Sequence, residues 1–195
     1  MSETSWVLSV IAGVAVAAAC GLRAFLPLLG LGIAGRLGWF ELDPRMEWLA
    51  GDPALWALGC ATVVEIAADK IPIVDHALDV VATLLRPAAA ALGGYAMLDV
   101  LPTPWAQIAG LGFGGIALAV HALKAKIRLG STAVTMGQAN PALSTGEDVV
   151  SLGTLASALL APVLAILVVV LLIAGLTVWL VLRRRPAVAA GSSPH

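Results

Sequence analysis

The sequence is short of charge. Asp, Glu, Lys and Arg make up 12% of its residues, about half the roughly 25% of an ordinary soluble domain, while 60% are hydrophobic and the mean hydropathy is +0.98. That scarcity excludes intrinsic disorder and an ordinary soluble globule. A basic surplus is missing too: eleven Lys and Arg meet twelve Asp and Glu for a net charge of -1. Nucleic acid is therefore excluded as a main partner. Cysteine is scarce, and Cys20 and Cys60 both fall in apolar runs where a thiol packs as a small hydrophobe, so no disulfide framework is expected. No basic segment precedes the apolar run from Trp6, and Ala17-Ala18-Ala19-Cys20 lacks the larger apolar residue that a lipoprotein cleavage site wants. The run is read as a permanent span. Nucleophile motifs, phosphate loops and Cys/His metal spacings are absent, so no cofactor and no metal site is expected, and Gly110-x-Gly112-x-Gly114-Gly115 reads as close helix packing.

What the sequence does have is uncharged apolar runs near or above the roughly 18 residues of a bilayer-crossing helix. The expected fold class is all-α: a polytopic transmembrane helix bundle with broken or kinked helices and an internal repeat. Residues 1–182 are expected to form one transmembrane domain of about five to six crossings, and residues 183–195 a basic cluster, Arg183-Arg184-Arg185, with a disordered tail. Ser5–Phe40 reads as a first span, bent or broken between Arg23 and Pro27. An acidic loop with interfacial tryptophans follows at Arg36–Asp52, and Pro53–Ala68 is a second span. A polar interval, Ile71–Arg86, leads to a short third stretch, Pro87–Leu98, which reaches full length only by starting back near Asp79. Trp105–Val120 is a fourth span, and Leu129–Gly146 is too polar for a lipid-facing helix. Val149–Leu182 has no charge; as one helix it would be about 51 Å long against about 30 Å of hydrocarbon, so Pro162 divides it.

Basic residues near the span ends set the expected orientation. Lys70, Arg86, Lys124, Lys126 and Arg128 fall on the side of the N-terminus, and Arg36 and Arg45 on the other. The localisation that follows is the bacterial inner (plasma) membrane with both termini cytoplasmic. Sliding the chain by 69 positions lays Pro72–Ala82 on Pro141–Ser151, matching a proline, an aspartate and two valines. Chance is one explanation. The other is a pair of equivalent units in which Pro72–Asp79 and Pro141–Asp148 are non-helical breaks, with helices starting near Asp79 and Asp148 toward a mid-membrane interior, the plan of small transporters.

Gly21-Leu-Arg-Ala-Phe-Leu-Pro27, Glu65-x-x-x-Asp69-Lys-Ile-Pro72-x-x-Asp75, His121-x-x-Lys124-x-x-x-Arg128 and Ser144-x-x-Glu147-Asp148 together resemble the pattern of the integral membrane family called domain of unknown function 4126. The resemblance runs over most of the chain. It implies a membrane protein and brings no activity with it.

An ionisable group inside a span costs several kcal/mol unless paired or hydrated, so each is a functional candidate. Arg23 reads as an ion pair with Glu65 or Asp79, as part of a solute path, or as an interfacial residue. Glu65 and Asp69 share a helical face, as do Asp75 and Asp79 if that segment is helical; four carboxylates so close need cations such as Lys70 or Arg23. His121, Lys124 and Arg128 form one basic face, either a cytoplasmic anchor or the partner of Glu65, Asp69, Glu147 and Asp148 across the bundle. These eleven residues are the candidates for an ion or substrate path. Three functions compete. A transporter or channel for an ion or small solute is preferred. A membrane enzyme would hold Mg²⁺ on the paired carboxylates and a lipid phosphate on the basic face. A non-catalytic scaffold would use its charges only to fix packing. Expected partners are membrane lipids, an unidentified small solute or ion, and a further copy of the chain.

Overall fold

In a computed structural model, residues 3–69, 72–98 and 101–160 are described, together with Leu167, Val170, Leu171, Ala174, Gly175 and Thr177. Among them are six α-helices, one 3₁₀ helix and no strand: α1 Glu3–Leu22, α2 Phe25–Arg36, the 3₁₀ helix Pro44–Ala50, α3 Asp52–Ala68, α4 Pro72–Ala96, α5 Thr103–Thr135 and α6 Asn140–Leu160.

The first break has a local cause. Pro27 cannot donate to the carbonyl of Arg23 and its ring would collide with that carbonyl in a continuous helix, so the chain breaks four residues earlier, at Arg23–Ala24. In α2 the same proline sits in the first turn, where a missing N–H costs nothing. Across the break the chain reverses. The site of Gly93 on α4 is approached by Val16 of α1 and by Leu28 and Leu31 of α2, while Gly13 of α1 lies against Gly94 and Asp43 N donates to Ala96 O at 3.2 Å. α2 therefore runs back along α1, and the loop 37–51 lies at the end of the bundle where α1 begins. This corrects the expectation of one long first span with Arg36 and Arg45 on the far side from the N-terminus.

α1 is the central rod. Ala12, Ala15, Val16, Ala17 and Ala19 are buried, and their small side chains let α4, α5 and α6 approach on all sides. Gly21 marks a close crossing with α5: a Cβ there would lie 2.6 Å from Val120 Cβ and 2.8 Å from Ala117 O. Of the glycines on α5, Gly110 and Gly114 do face α4, whereas Gly112 and Gly115 have open space beside them. Cys20 is buried, as expected; Cys60 is exposed.

Three further expectations are corrected by helix limits. The polar interval before Arg86 is part of α4, which starts at Pro72 and carries Pro87 in its interior. α5 continues through His121, Lys124 and Arg128 and through the small polar residues to Thr135, ending in a turn where Met136 and Gly137 take φ of 51° and 83°. α6 starts at Asn140. Pro72 and Pro141 are thus first-turn residues of helices, a position proline favours; Pro72–Asp79 and Pro141–Asp148 are helical, not breaks, and Asp148 is two turns inside its helix.

Pro104–Thr135 is long and apolar enough to cross a membrane, and the 3₁₀ helix with α3 also qualifies as a pair bent by 63°. Trp6–Leu22 and Phe25–Arg36 are shorter apolar helices.

Candidate functional site

The break at Arg23–Ala24 leaves backbone groups without helical partners, and polar side chains from other helices reach the backbone there. Ala24 at the start of α2 has no capping side chain of its own. The carboxylate of Glu65 on α3 takes its place, accepting from Ala24 N at 2.8 Å and Phe25 N at 3.2 Å, at the positive end of the helix. At the end of α1, Lys124 Nζ donates to Leu22 O at 3.2 Å and Ser151 Oγ to Ala19 O at 3.2 Å.

Arg23 itself is fully buried. Its Nη1 pairs with Asp69 Oδ2, Nη2 donates to Ser144 Oγ at 2.8 Å and to Ser144 O at 3.1 Å, and Nε lies 2.6 Å from Asp148 Oδ1, an ionic contact off the hydrogen-bond line. Two more cations reach the same acids from α5. Arg128 Nη2 lies 2.9 Å from Asp69 Oδ2 and 3.1 Å from Glu147 Oε2, and Lys124 Nζ lies 2.9 Å from Glu147 Oε2 and 3.7 Å from Asp69 Oδ2. Asp69 is thus shared by three cations, two from α5 and one from the break. On α4, buried Arg86 meets His121 through Nη1 and Nδ1, and Thr83 Oγ1 lies 3.3 Å from His121 Nε2.

Two cavities touch this centre. One of about 540 Å³ lies between α1, α5 and α6, with Lys124, Glu147 and Thr154 in an otherwise apolar wall. The other, about 250 Å³, lies between α2, α3 and α4 and is lined by Glu65, Asp69 and Arg86 among apolar residues.

Eight of the eleven candidate residues are described, and they cluster: Arg23, Glu65, Asp69, His121, Lys124, Arg128, Glu147 and Asp148. Arg23 pairs with Asp69 and Asp148, and Glu65, expected as its ion partner, instead caps α2. Lys124 and Arg128 are buried at 3% and 5% exposure, which removes the cytoplasmic-anchor alternative and leaves the pairing across the bundle. Lys70 lies outside the described residues, as do the side chains of Asp75 and Asp79, whose backbone belongs to α4. Among the described residues no group of three or more His, Cys, Asp and Glu is placed to hold a metal ion.

Arg86, Ser144 and Ser151 were not among the candidates. For the serines a signal existed. Ser144, Glu147, Asp148, Ser151 and Thr154 recur at helical spacing on α6, and three of them, Ser144, Ser151 and Thr154, are fully or almost fully buried, so the polar stripe was a face turned inward. Arg86 closed the stretch read as a polar interval from Ile71, which hid its place on a helix.

Among known proteins, the family described as Domain of unknown function (DUF4126) matches residues 10–183. No curated protein and no solved structure matches the chain.

Proposed function

The chain belongs to the DUF4126 family, and from that premise and the geometry above we propose that it is a small integral membrane protein, a polytopic helix bundle that acts as a transporter or channel for a small solute or ion. The observation that carries the reading is the inversion of inside and outside. Arg23, Glu65, Asp69, Arg86, His121, Lys124 and Arg128 are buried, while Trp56, Leu84, Leu111, Leu129 and Leu160 are more than 60% exposed. In water, large exposed apolar surfaces and buried charges are the two arrangements that a fold avoids. In lipid the first is solvation, and the second marks a path or a centre that needs hydration and pairing. Irregular backbone at Arg23–Ala24 fits the same setting, because Ala24 N, Phe25 N and Leu22 O, freed there, are met by buried side chains.

Two cavities on different sides of one ion-paired set support transport over a purely structural role. Asp69 faces the smaller cavity and Glu147 the larger, and Lys124 and Arg128 hold both acids. Exchange of these pairs would open one side as the other closes. From Trp6 to Arg23 is about 25 Å along a helix, so with Trp6 at one interface of a core about 30 Å thick the centre lies nearer the opposite face than the mid-membrane position expected from the repeat.

The test is flux. Purified protein in liposomes should pass at least one of a panel of monovalent ions, amines, carboxylates and zwitterions above protein-free vesicles, and Asp69→Asn should abolish that flux while the protein still purifies as a folded species. A scaffold is the second reading, favoured by the dense pairing around Asp69. Absence of flux for the whole panel, with Asp69→Asn lowering thermal stability only, would select it.

A further inference from the structure

The larger cavity, between α1, α5 and α6, has a shape and a wall that point to one kind of occupant. Leu22, Leu123, Ile127, Leu143 and Val150 line it and are each half-buried, so it is open along one side, between α5 and α6, which touch little. Small residues on α6 make the room: Ala142 and Gly146 line it, and a Cβ at Gly146 would meet nothing within 4 Å. From Ala142 to Thr154 is about 18 Å along a helix. Resting on the membrane part of the reading above, we propose that this cavity holds one acyl chain of a membrane phospholipid whose phosphate sits at Lys126.

Volume is the first argument. At about 540 Å³ the cavity is within the roughly 300–1,000 Å³ of sites that take small molecules. A helix of the same length, 10–12 Å across with its side chains, fills about 1,400 Å³ or more, so neither a helix of a second copy nor another helix of this chain enters it. A carbon chain does. A void of this size left empty would forfeit the close packing of a protein interior, and in a membrane hydrocarbon is the filler at hand.

Charge is the second. The two ionisable side chains in the wall are spent on each other and on the bundle. Lys124 Nζ lies 2.9 Å from Glu147 Oε2 and donates to Leu22 O at 3.2 Å, and Arg128 meets Glu147 Oε1 at 3.3 Å and Oε2 at 3.1 Å. The cavity thus offers an occupant apolar surface. Lys126 differs: it is exposed and makes no ion pair among the described residues, and as the i+3 neighbour of Leu123 on the surface of α5 it stands at the rim. α5 runs alongside α1 in the same direction, Phe113 beside Gly13 and Val120 beside Gly21. Trp6 and Arg23 are about 25 Å apart along α1, so Lys126, just past the level where Lys124 meets Leu22, stands near the far face of a core about 30 Å thick. That is the depth of a lipid phosphate, which a lysine there attracts. The chain then runs inward past the Lys124–Glu147 pair toward Thr154, on the side that the transport reading opens and closes.

The test uses the full-length protein, stripped of lipid in mild detergent, with a small molar excess of phosphatidylglycerol carrying a diazirine midway along one chain. After illumination, adducts mapped by mass spectrometry should fall on Leu123, Ile127 and Val150 about fivefold more often than on Val63, Val64 and Leu111, which are exposed on other faces. Gly146→Phe, whose ring enters open space, should cut the cavity adducts about fivefold, while Gly146→Ala, too small to fill the cavity, should label as the unaltered protein does. Lys126→Gln should lower labelling by phosphatidylglycerol about threefold and leave labelling by a diacylglycerol with the same chain unchanged. Adducts spread evenly over the exposed apolar faces, an adventitious lipid coat only, would overturn the proposal, as would an unchanged phosphatidylglycerol signal in Lys126→Gln. So would absence of adducts from the cavity, which would give it to the chain's own apolar stretch after Pro162. Disulfide dimers of Gly146→Cys in a Cys20→Ala, Cys60→Ala background would give it to a second copy and overturn the proposal too. Cavity labelling in a protein that passes no solute would sink the transport reading and leave the site standing; a chain that stays monodisperse without detergent would sink the membrane reading on which both rest.

Discussion

A buried guanidinium is stable only while its acids are present, and the acids around Arg23 are not equivalent. Asp69 is shared with Lys124 and Arg128, whereas the ion pair of Asp148 among the described residues is with Arg23. Arg23→Leu should therefore strand Asp148 and cost about 3–5 kcal/mol. Adding Asp148→Asn should recover part of the loss, and adding Asp69→Asn should deepen it, because that change takes a partner from two further cations. Denaturant unfolding in detergent reads all three, and equal rescue by both second changes would contradict the assignment. Glu65→Gln retains an acceptor but removes the charge from the start of α2, for an expected cost of about 0.5–2 kcal/mol, with faster amide exchange at Ala24 and Phe25 as the local signature. Asp43 gives the pH-dependent case. It accepts from Arg45 N at 2.9 Å, Nε at 2.8 Å and Nη2 at 2.5 Å, and these hydrogen bonds hold its carboxyl below the ordinary 3.8 while raising the Arg45 guanidinium further. With the folded value below the unfolded one, the stabilisation is complete above about pH 4 and is lost as pH falls through the folded value. Fluorescence of Trp39 and Trp48 in the same loop should change only below pH 3.8, and Asp43→Asn should remove that transition.

Among the elements, the α1–α5 crossing depends on Gly21, and the contrast with α5 is testable. Gly21→Ala places a methyl against Val120 and the Ala117 carbonyl just below the level at which Lys124 reaches Leu22, so it should lower the melting temperature and loosen that cap. Gly112→Ala and Gly115→Ala meet open space and should each stabilise by about 0.5–1 kcal/mol through helix propensity; the same sign at all three positions would refute the packing argument. Legibility in the sequence followed the range of the cause. The break before Pro27 could be read because a proline acts on the carbonyl four residues back, within one turn. The helical course of 72–86 could not, because its polar residues read as a break, whereas a proline at 72 suits the first turn of a helix and polar residues cost a helix little. The basic face of His121, Lys124 and Arg128 was visible as spacing. Its destination was not: Lys124 and Leu22 lie 102 residues apart and Glu65 and Ala24 lie 41 apart, and neither pairing follows from a local pattern.

For the whole molecule, the reversal at Arg23 changes which parts of the chain share a side. Lys124 and Arg128 had been counted as loop charges in assigning orientation, but both are buried in the centre and carry no weight in a rule that concerns flanking loops. What remains is relative placement. α1 begins, and the loop 37–51, the end of α4 and the start of α5 meet, at one end of the bundle, and there Trp6, Trp39, Trp48, Trp56 and Trp105 are all about half exposed or more, which on the proposed membrane reading would form an interfacial aromatic belt. The turn between α5 and α6 lies at the other end, beyond Arg128. Single cysteines introduced at Ser2, Glu41 and Gln138 in a Cys20→Ala, Cys60→Ala background, labelled in intact vesicles with a membrane-impermeant maleimide, should therefore divide two against one. Positions 2 and 41 should label from the same side and position 138 from the opposite one. A long first span through Arg23 would put positions 2 and 41 on opposite sides, so that result would remove the hairpin of α1 and α2, and with it the capping roles of Glu65 and Lys124 on which the ion-paired centre is built.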